Sequence, residues 1–379
     1  MTFLHQASMV DPDAIKQLKY AAALPGMVRC VGMPDLHPGG KYPVGASFVS
    51  EKVHPELVGQ DIGCGMTLYE LDCAAGVSDR QMEKMCKTLR QSGLDVGGGN
   101  VPEITSPVKA YEAAVNKLLG KHHPVFGTIG GGNHFAEFQT VEKVHEQVQE
   151  EGILDDTKLH LLVHSGSRSL GEQVLRDFRE EMTGKDGTAG KALEKYLALH
   201  DVAVSWARKN RERIAESAAD ACRIRVKRKI LDICHNSVVP YTSDAQASTY
   251  VHRKGAAPTD CGLVAIPGSR GTMTYIVRPT PDASAQEAAG WSIAHGAGRV
   301  IGRKDLQRKL DKRYPTKEAC EKALAVTDLG GRVVYKDEKI LRQEAPQAYK
   351  DIDDVVADLV ARGLVSVVAV MRPLITCKL

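Results

Sequence analysis

A long helical pattern between residues 171 and 232 constrains the fold of this chain more than any other feature. Apolar residues recur there at helical spacing for several turns. Outside it, short apolar runs typical of strands, such as "KLHLLVHSGSR" at 158–168, mix with isolated helical patterns and with loops rich in Gly and Pro. Because the regular rhythm of βαβ units is missing, we predict an α+β fold with mixed sheets and a helical insertion.

The length and composition fit a globular catalytic domain. With 379 residues, 43% of them hydrophobic, the chain can bury a large core. We predict one domain over residues 1–379, with the basic helical block at about 171–232 as its insertion. Nine cysteines with irregular spacing and no CxxC pair make a disulfide framework unexpected and favour a reducing cytoplasm. We expect neither a signal peptide nor a transmembrane helix.

The charge is balanced overall, with 50 basic and 47 acidic residues, so a nucleic-acid partner would need a local basic patch. The strongest local excess of positive charge lies at 207–229, which contains nine basic and three acidic residues. The basic residues are Arg208, Lys209, Arg211, Arg213, Arg223, Arg225, Lys227, Arg228 and Lys229. A solvated helix face is the commoner interpretation of such a run, and a surface for the phosphate backbone is the alternative.

Four histidines stand at strand ends or in loops beside Gly, Asn or Ser: His134, His164, His235 and His295. A single histidine of this kind is usually structural, but four in similar settings indicate a site. Whether His295, in "SIAHGAGRVIGR", is a structural residue, a ligand, a base or a nucleophile is left open by the local pattern.

The segment "VGQDIGCGM" adds a carboxylate and a thiol. Asp61 and Cys64 are three residues apart, and glycines on both sides of the cysteine allow a tight turn that brings the two side chains together. Carboxylate, thiolate and imidazole ligands suit borderline divalent ions such as Mn, Zn, Co or Fe better than Ca or Mg. The alternative is an inert buried Cys64 and a turn-forming Asp61.

Three glycine-rich segments, "GTIGGGNHF", "PGSRGT" and "HGAGR", can expose backbone N–H groups to phosphates, although glycine is also ordinary turn chemistry. Neither GxxxxGK[ST] nor a GxGxxG after a clear strand is present, so Walker-type and Rossmann sites are not indicated. Together the patterns indicate a central pocket for a divalent metal beside a nucleotide or phosphate.

Sequence blocks spread over almost the whole chain resemble, in order, the signature blocks of the RtcB family of RNA-splicing ligases. They read "MPDLHPGGKYPVGASF", "VGQDIGCGM", "GGGNHFAEF", "VHSGSRSLG", "HNSV", "RKGA", "IPGSRGT", "HGAGR" and "EAPQAYKDIDDVV". The resemblance implies a ligase that uses GTP and two Mn²⁺ ions. Such an enzyme joins an RNA 3′-phosphate or 2′,3′-cyclic phosphate to a 5′-hydroxyl, through a guanylylated histidine and an RNA-3′-pp-5′-G intermediate. Some members also use a small activating helper protein.

The resemblance also implies roles for particular residues. His295 would be the nucleophile that carries GMP. The metal ligands would be Asp61, Cys64, His134, His164 and His235, with the cysteine bridging two ions. The guanylate contacts would be Asn133, His134, Phe135, Ala136, Glu137, His235, Asn236, Pro267, Gly268, Ser269, Arg270, Thr274, His295, Gly296, Ala297, Gly298, Tyr349 and Lys378. The basic residues near phosphates or RNA would be Arg168, Lys254, Arg299 and Arg303.

The chain departs from the usual family blocks at several positions. Cys234 stands where many members have a second histidine, Arg270 replaces a methionine, and Thr274 replaces a serine. These departures leave the metal and guanylylation residues intact and are typical of a divergent subgroup. They leave open whether the RNA is a tRNA exon, a cleaved tRNA or damaged ribosomal RNA.

Three alternatives remain at this stage. A metal-dependent phosphohydrolase acting on RNA phosphate ends could use the same ligands to activate water. A non-catalytic RNA-binding protein would have no need of the Asp, Cys and His set. A redox sensor would depend on the reactivity of Cys64 alone.

Overall fold

Three sheets organise the chain in a computed structural model that describes residues 2–4, 10–92, 94, 97, 103–145, 152–182, 189–243 and 246–379. The strands are β1 (Thr2–Phe3), β2 (Met27–His37), β3 (Val44–Ser50), β4 (Gly65–Ala74), β5 (Phe135–Val144), β6 (Lys158–Ser165), β7 (Val226–Cys234), β8 (Asn236–Ser243), β9 (Gln246–Lys254), β10 (Ala256–Pro258), β11 (Val264–Pro267), β12 (Thr274–Pro279), β13 (Ser292–Ala294), β14 (Arg332–Tyr335) and β15 (Val365–Lys378).

The largest sheet has the strand order β11-β12-β15-β5-β6-β4-β7 with antiparallel neighbours, and β14 pairs with β15 in parallel. A second sheet has the order β1-β2-β3-β9-β8, and β10 pairs with β13. The first pair of the second sheet, β1 and β2, is parallel, and its other pairs are antiparallel. The mixed sheets and accompanying helices confirm the predicted α+β class.

The helices pack around these sheets. They are α1 (Pro12–Ala22), α2 (Asp79–Arg90), α3 (Glu112–His122), α4 (Ser169–Met182), α5 (Ala189–Ala221), α6 (Ala283–Ala288), α7 (Arg303–Arg313), α8 (Lys317–Leu324), α9 (Glu338–Gln343) and α10 (Ile352–Ala361). Polar caps begin several of them: Ser78 forms a capping box with Gln81 at α2, and Asp11 caps α1. None of the helices in the described part of the chain has both the length and the apolarity that crossing a membrane requires.

The prediction of a helical block over residues 171–232 is wrong at the carboxyl end of the block. Helix α5 ends at Ala221, and Arg223 follows in the left-handed region with φ 58°. Residues from Val226 onward form strand β7, because Leu231 and Ile233 pair with β4 and are buried in the core. Residues 183–188 of the block lie outside the described residues. Pairing with a distant strand therefore decides the structure of a segment whose local pattern is also compatible with helix.

The central strands of the largest sheet determine where the site lies. In the antiparallel order β5-β6-β4-β7, the start of β5, the end of β6, the start of β4 and the end of β7 share one edge. The registers Gly65↔Ser165 and Gly65↔Cys234 show this directly. Side chains that border these strand ends, far apart in sequence, therefore meet at that edge.

Candidate metal and nucleotide site

Five side chains converge at the shared edge of the largest sheet. They are Asp61, Cys64, His134, His164 and His235, the residues predicted to bind metal. Their ligand atoms form two groups, Cys64 with His164 and His235, and Asp61 with Cys64 and His134, and within each group these atoms lie within 4.8 Å of one another. The thiol belongs to both groups, an arrangement that suits a bridging ligand.

The distances within this metal cluster are short. The Sγ atom of Cys64 lies 3.3 Å from Nε2 of His134 and 3.2 Å from Nε2 of His164. The Oδ2 atom of Asp61 lies 2.9 Å from the same His134 nitrogen. The Nδ1 atom of His235 is buried and has no hydrogen-bond partner among the described residues, so it is available to a ligand.

Burial sets the protonation of the cluster. It lowers the pKa of His164 and His235 well below the ordinary value, which favours neutral imidazoles with a free lone pair. Burial opposes ionisation of Asp61, but the neighbouring His134 and Arg168 keep its pKa below the usual value. Burial, followed by the charge of Asp61, raises the pKa of Cys64 well above its ordinary value. A divalent cation would stabilise the thiolate, and the mixed O, N and S set fits a borderline metal ion.

His295 lies beside this cluster, immediately after β13. Its ring centroid is 4.6 Å from that of His235, and its Nδ1 lies 2.7 Å from Oδ2 of Asp35. Asp35, on β2, is fully buried, and the same oxygen also accepts from the backbone N–H of His295. Because a carboxylate is an acceptor, Nδ1 is the donor in this bond, and in the neutral ring that tautomer leaves the lone pair on Nε2.

A cavity of about 320 Å³ opens next to His164 and His295. Most of the residues predicted to contact the guanylate line it: Asn133, Phe135, Glu137, Pro267, Gly268, Ser269, Arg270, His295, Gly296, Ala297, Gly298, Tyr349 and Lys378. Two of the residues predicted to lie near phosphates or RNA, Arg299 and Arg303, also line it. Residues that the sequence analysis did not single out also line it: His37, Pro38, Val44, Met66, Gly132, Glu344 and Thr376. The metal cluster and the predicted nucleotide residues thus border one space.

Glu137 and Lys378 are two buried charged residues that line this cavity. Thr376 Oγ1 and Gln139 Nε2 donate to the two carboxylate oxygens of Glu137. Burial raises the pKa of Glu137, and these two donors act in the opposite direction. Lys378 donates to the backbone oxygens of Gly132 at 3.1 Å and His134 at 3.2 Å, and burial lowers its pKa to about 8.

Tyr349 also lines the cavity. Its hydroxyl donates to Glu344, and the guanidinium of Arg299 lies 5.1 Å from the centre of its ring. Arg299 also pairs with Glu344 at 2.9 Å, and Arg303 approaches the same carboxylate at 3.8 Å. These contacts fix a flat aromatic surface at the cavity wall.

Comparison with known proteins identifies the family. The model of the family described as tRNA-splicing ligase RtcB matches residues 17–116 and 103–379. The chain belongs to the RtcB family. An RNA-splicing ligase RtcB2 of Escherichia coli is 38% identical over 378 residues, covering 97% of this chain and 93% of the relative. A tRNA-splicing ligase RtcB of Archaeoglobus fulgidus is 29% identical, covering 98% and 92%. An RNA-splicing ligase RtcB of Mycobacterium tuberculosis is 28% identical, covering 94% and 99%.

Some residues predicted from RtcB motifs lie outside the cavity lining. Thr274 is buried and accepts from Gln139 at 2.9 Å, so it contacts Glu137 through that amide. Asn236 donates to the backbone oxygen of Asp61 at 3.0 Å. Ala136 packs in the apolar core on the other face of β5.

Two of the predicted basic residues lie close to the metal cluster of this RtcB protein. Arg168 is in the left-handed region with φ 58°, and its Nη1 lies 3.4 Å from Nδ1 of His134. The side chain of Lys254 lies against Gly59, two residues before Asp61: a Cβ atom added to Gly59 would be 2.3 Å from Nζ of Lys254. Burial lowers the pKa of Lys254.

The basic run at 207–229 is largely paired. Arg225 contacts Asp72 at 2.8 Å, and Lys227 and Arg228 contact the buried Glu70 at 2.6 and 2.7 Å. On α5, Arg211 is fully buried. The run therefore supplies fewer free charges for RNA than its composition indicates.

Sequence reasoning missed Asp35 and Gln139, which hold His295 and Glu137. Asp35 lies within the quoted block "MPDLHPGGKYPVGASF", where an acidic residue two positions before a histidine was a usable signal. Gln139 lies within strand β5, two residues after Glu137, and the sequence alone offered no sign of its contact.

Proposed function

We propose that this RtcB family member is a GTP- and Mn²⁺-dependent ligase that joins RNA 3′-phosphate or 2′,3′-cyclic phosphate ends to 5′-hydroxyl ends. The observation that carries the proposal is His295, oriented by the buried Asp35 and placed between a metal cluster and a cavity of about 320 Å³. A structural histidine would need neither the cluster nor the cavity beside it. The family membership of the whole chain supports the same reaction.

The first step would be attack by Nε2 of His295 on the α-phosphorus of GTP. A nitrogen–phosphorus bond forms, the bond to the bridging oxygen of the β-phosphate breaks, and pyrophosphate leaves. Asp35 accepts the Nδ1 hydrogen bond and stabilises the positive charge that develops on the ring. Two Mn²⁺ ions bound by Asp61, Cys64, His134, His164 and His235 would neutralise charge on the triphosphate.

The guanylyl group would then pass to the RNA 3′-phosphate, giving RNA-3′-pp-5′-G. Attack by the 5′-hydroxyl forms the phosphodiester, and GMP leaves. A cyclic phosphate is first opened by hydrolysis. Each transfer exchanges one phosphoryl bond for another, so no redox partner is needed.

The nucleotide would lie in the cavity, with its base toward Glu137, Tyr349 and Lys378. The remaining guanylate contacts are those predicted from the motifs, including the segments at 267–270 and 295–298. Arg168, Lys254, Arg299 and Arg303 would contribute positive charge toward phosphates or RNA.

We also propose the physiological setting. Residues 1–379 would act as one ligase domain in the cytoplasm, with GTP and broken RNA as partners and an activating helper protein as a further partner. The RNA would carry the two end groups named above, which a tRNA exon, a cleaved tRNA or damaged ribosomal RNA would each supply.

The direct test is ligation of a broken stem-loop that carries a 2′,3′-cyclic phosphate and a 5′-hydroxyl. We expect a joined product only when GTP and Mn²⁺ are both present, and none with His295→Ala. Release of inorganic phosphate from the ends without joining would contradict the proposal and favour a metal-dependent phosphohydrolase.

A further inference from the structure

Arg270 is a buried cation in the wall of the cavity. It lies in the turn between β11 and β12, which is closed by a hydrogen bond from Gly268 N to Met273 O at 3.0 Å. Its side chain lines the cavity, although the residue is only 6% exposed.

The guanidinium of Arg270 is incompletely paired. Its Nη1 donates to the backbone oxygen of Leu341 at 3.1 Å, whereas Nη2 is buried with no hydrogen-bond partner among the described residues. Leaving a buried charged donor unsatisfied is costly, and such groups are normally paired with protein, water or ligand. A ligand in the cavity with suitable acceptors would satisfy it.

The surroundings of Arg270 favour an uncharged ring over a phosphate. Glu137, Glu344, Tyr349 and Cys320 are neighbours whose negative charge would stabilise it, and Lys378 is a neighbouring cation. The two carboxylates oppose a phosphate here, and Lys378 already donates to the backbone oxygens of Gly132 and His134. A heteroaromatic ring, in contrast, can accept from the guanidinium and donate to Glu137. The flat ring of Tyr349 lines the same cavity and can pack against such a ring.

Guanine offers this combination of groups on two adjacent edges. Its N1–H and N2–H₂ groups are donors, and its O6 and N7 atoms are acceptors that a guanidinium can bind as a fork. Adenine would instead present its N6–H₂ donor toward the guanidinium. The side chains thus match guanine at both edges.

We propose that Arg270 is a specificity-determining residue that donates to the O6 and N7 edge of guanine while Glu137 accepts from the N1 and N2 edge. This inference rests on the proposed function, because it takes the cavity to be the GTP site. In addition to the N1 and N2 edge, the O6 and N7 edge of guanine would then be recognised, by an arginine that takes no part in the chemical step.

The test compares GTP with 7-deaza-GTP, which lacks the N7 acceptor. For each nucleotide, the rate of adduct formation at subsaturating concentration is measured by intact-protein mass spectrometry with Mn²⁺ present. We expect the wild-type protein to prefer GTP by about 10-fold, the discrimination typical of such an arginine contact. Arg270→Met should bring the ratio close to one. The ratio compares two nucleotides on one preparation, so it does not depend on the fraction of folded protein.

Arg342→Met is the matched control. Arg342 follows Leu341 on α9, pairs with Glu321 at 3.3 Å and is absent from the cavity lining. This variant should keep the wild-type ratio. An unchanged ratio in Arg270→Met, with adducts still forming, would overturn the role of Arg270 and leave the proposed function standing.

Absence of any adduct in the wild-type protein would instead contradict the proposed function. The same comparison, made by calorimetric binding of GMP and 7-deaza-GMP, then decides the role of Arg270. Equal affinities in the wild-type protein would overturn it, and a preference for GMP lost in Arg270→Met would support it.

Discussion

Replacing Arg211 with methionine should destabilise the protein at the segments that carry the metal cluster. Arg211 is fully buried on α5, and its guanidinium donates to Gly63 O at 2.9 Å, Ser165 O at 3.0 Å, Thr67 Oγ1 at 2.8 Å and Asp232 Oδ1 at 2.6 Å. Gly63 precedes a predicted metal ligand in sequence, and Ser165 follows another. The guanidinium therefore ties together two of the segments that carry the cluster.

The cost can be worked from these contacts. Removing one partner of a buried ion pair costs about 3–5 kcal/mol, because the other charge is left without its partner. Asp232 is 14% exposed at its side chain and keeps the hydrogen bond from Thr67, so the lower end, about 3 kcal/mol, is expected. At about 2.1 cal/mol/K per residue, a chain of 379 residues has an unfolding entropy near 0.8 kcal/mol/K. The melting temperature should therefore fall by about 4 °C.

Calorimetric unfolding in EDTA measures this loss without metal. Arg213→Met is the matched control on the same helix, because Arg213 is 44% exposed and only loosely paired with Glu216 at 3.7 Å. It should shift the midpoint by less than about 1 °C. Adding Asp232→Asn to Arg211→Met should cost less than the sum of the single changes. A shift for Arg211→Met no larger than that of the control would refute the reasoning.

Three further predictions follow from the site and its surroundings. Asp35→Asn should slow adduct formation at His295 by about 100-fold or more, since the amide no longer holds the ring in the reactive tautomer; a time course by mass spectrometry measures it. EDTA should abolish adduct formation and added Mn²⁺ restore it, and activity that survives chelation would argue against the metal cluster. Burial lowers the pKa of His252 to about 3, and its Nε2 accepts from His54 N, so the unfolded chain takes up the proton first. Its stabilising contribution is complete above pH 6.5 and is lost toward pH 3, at up to about 1.4 kcal/mol per pH unit, and His252→Gln should flatten this slope in denaturant titrations.

The sequence predicts well which side chains converge in the cluster, because they border strands that an antiparallel sheet brings to one edge. Cys64, His134, His164 and His235 were each recognisable from a loop setting beside small residues. The close packing of these side chains around the thiol agrees with the predicted ligand set. The assignment of a metal role to each residue stays a prediction.

Long-range contacts explain what the sequence left out. Asp35 and His295 are 260 positions apart, and the packing of β2 against β13, strands of two separate sheets, brings them together. Gln139 and Thr376 likewise meet at Glu137 through the pairing of β5 with β15. The error at β7 has the same origin, since a partner strand more than 150 residues away overrides the local helical pattern. Local periodicity carries no information about such partners.

The mass of the protein after incubation with GTP and Mn²⁺ tests the central claim most directly. The account predicts one added GMP, located on His295 by peptide analysis and absent in His295→Ala. It also predicts that RNA with a 3′-phosphate removes the adduct. An unmodified protein, or an adduct on another residue that persists in His295→Ala, would contradict it.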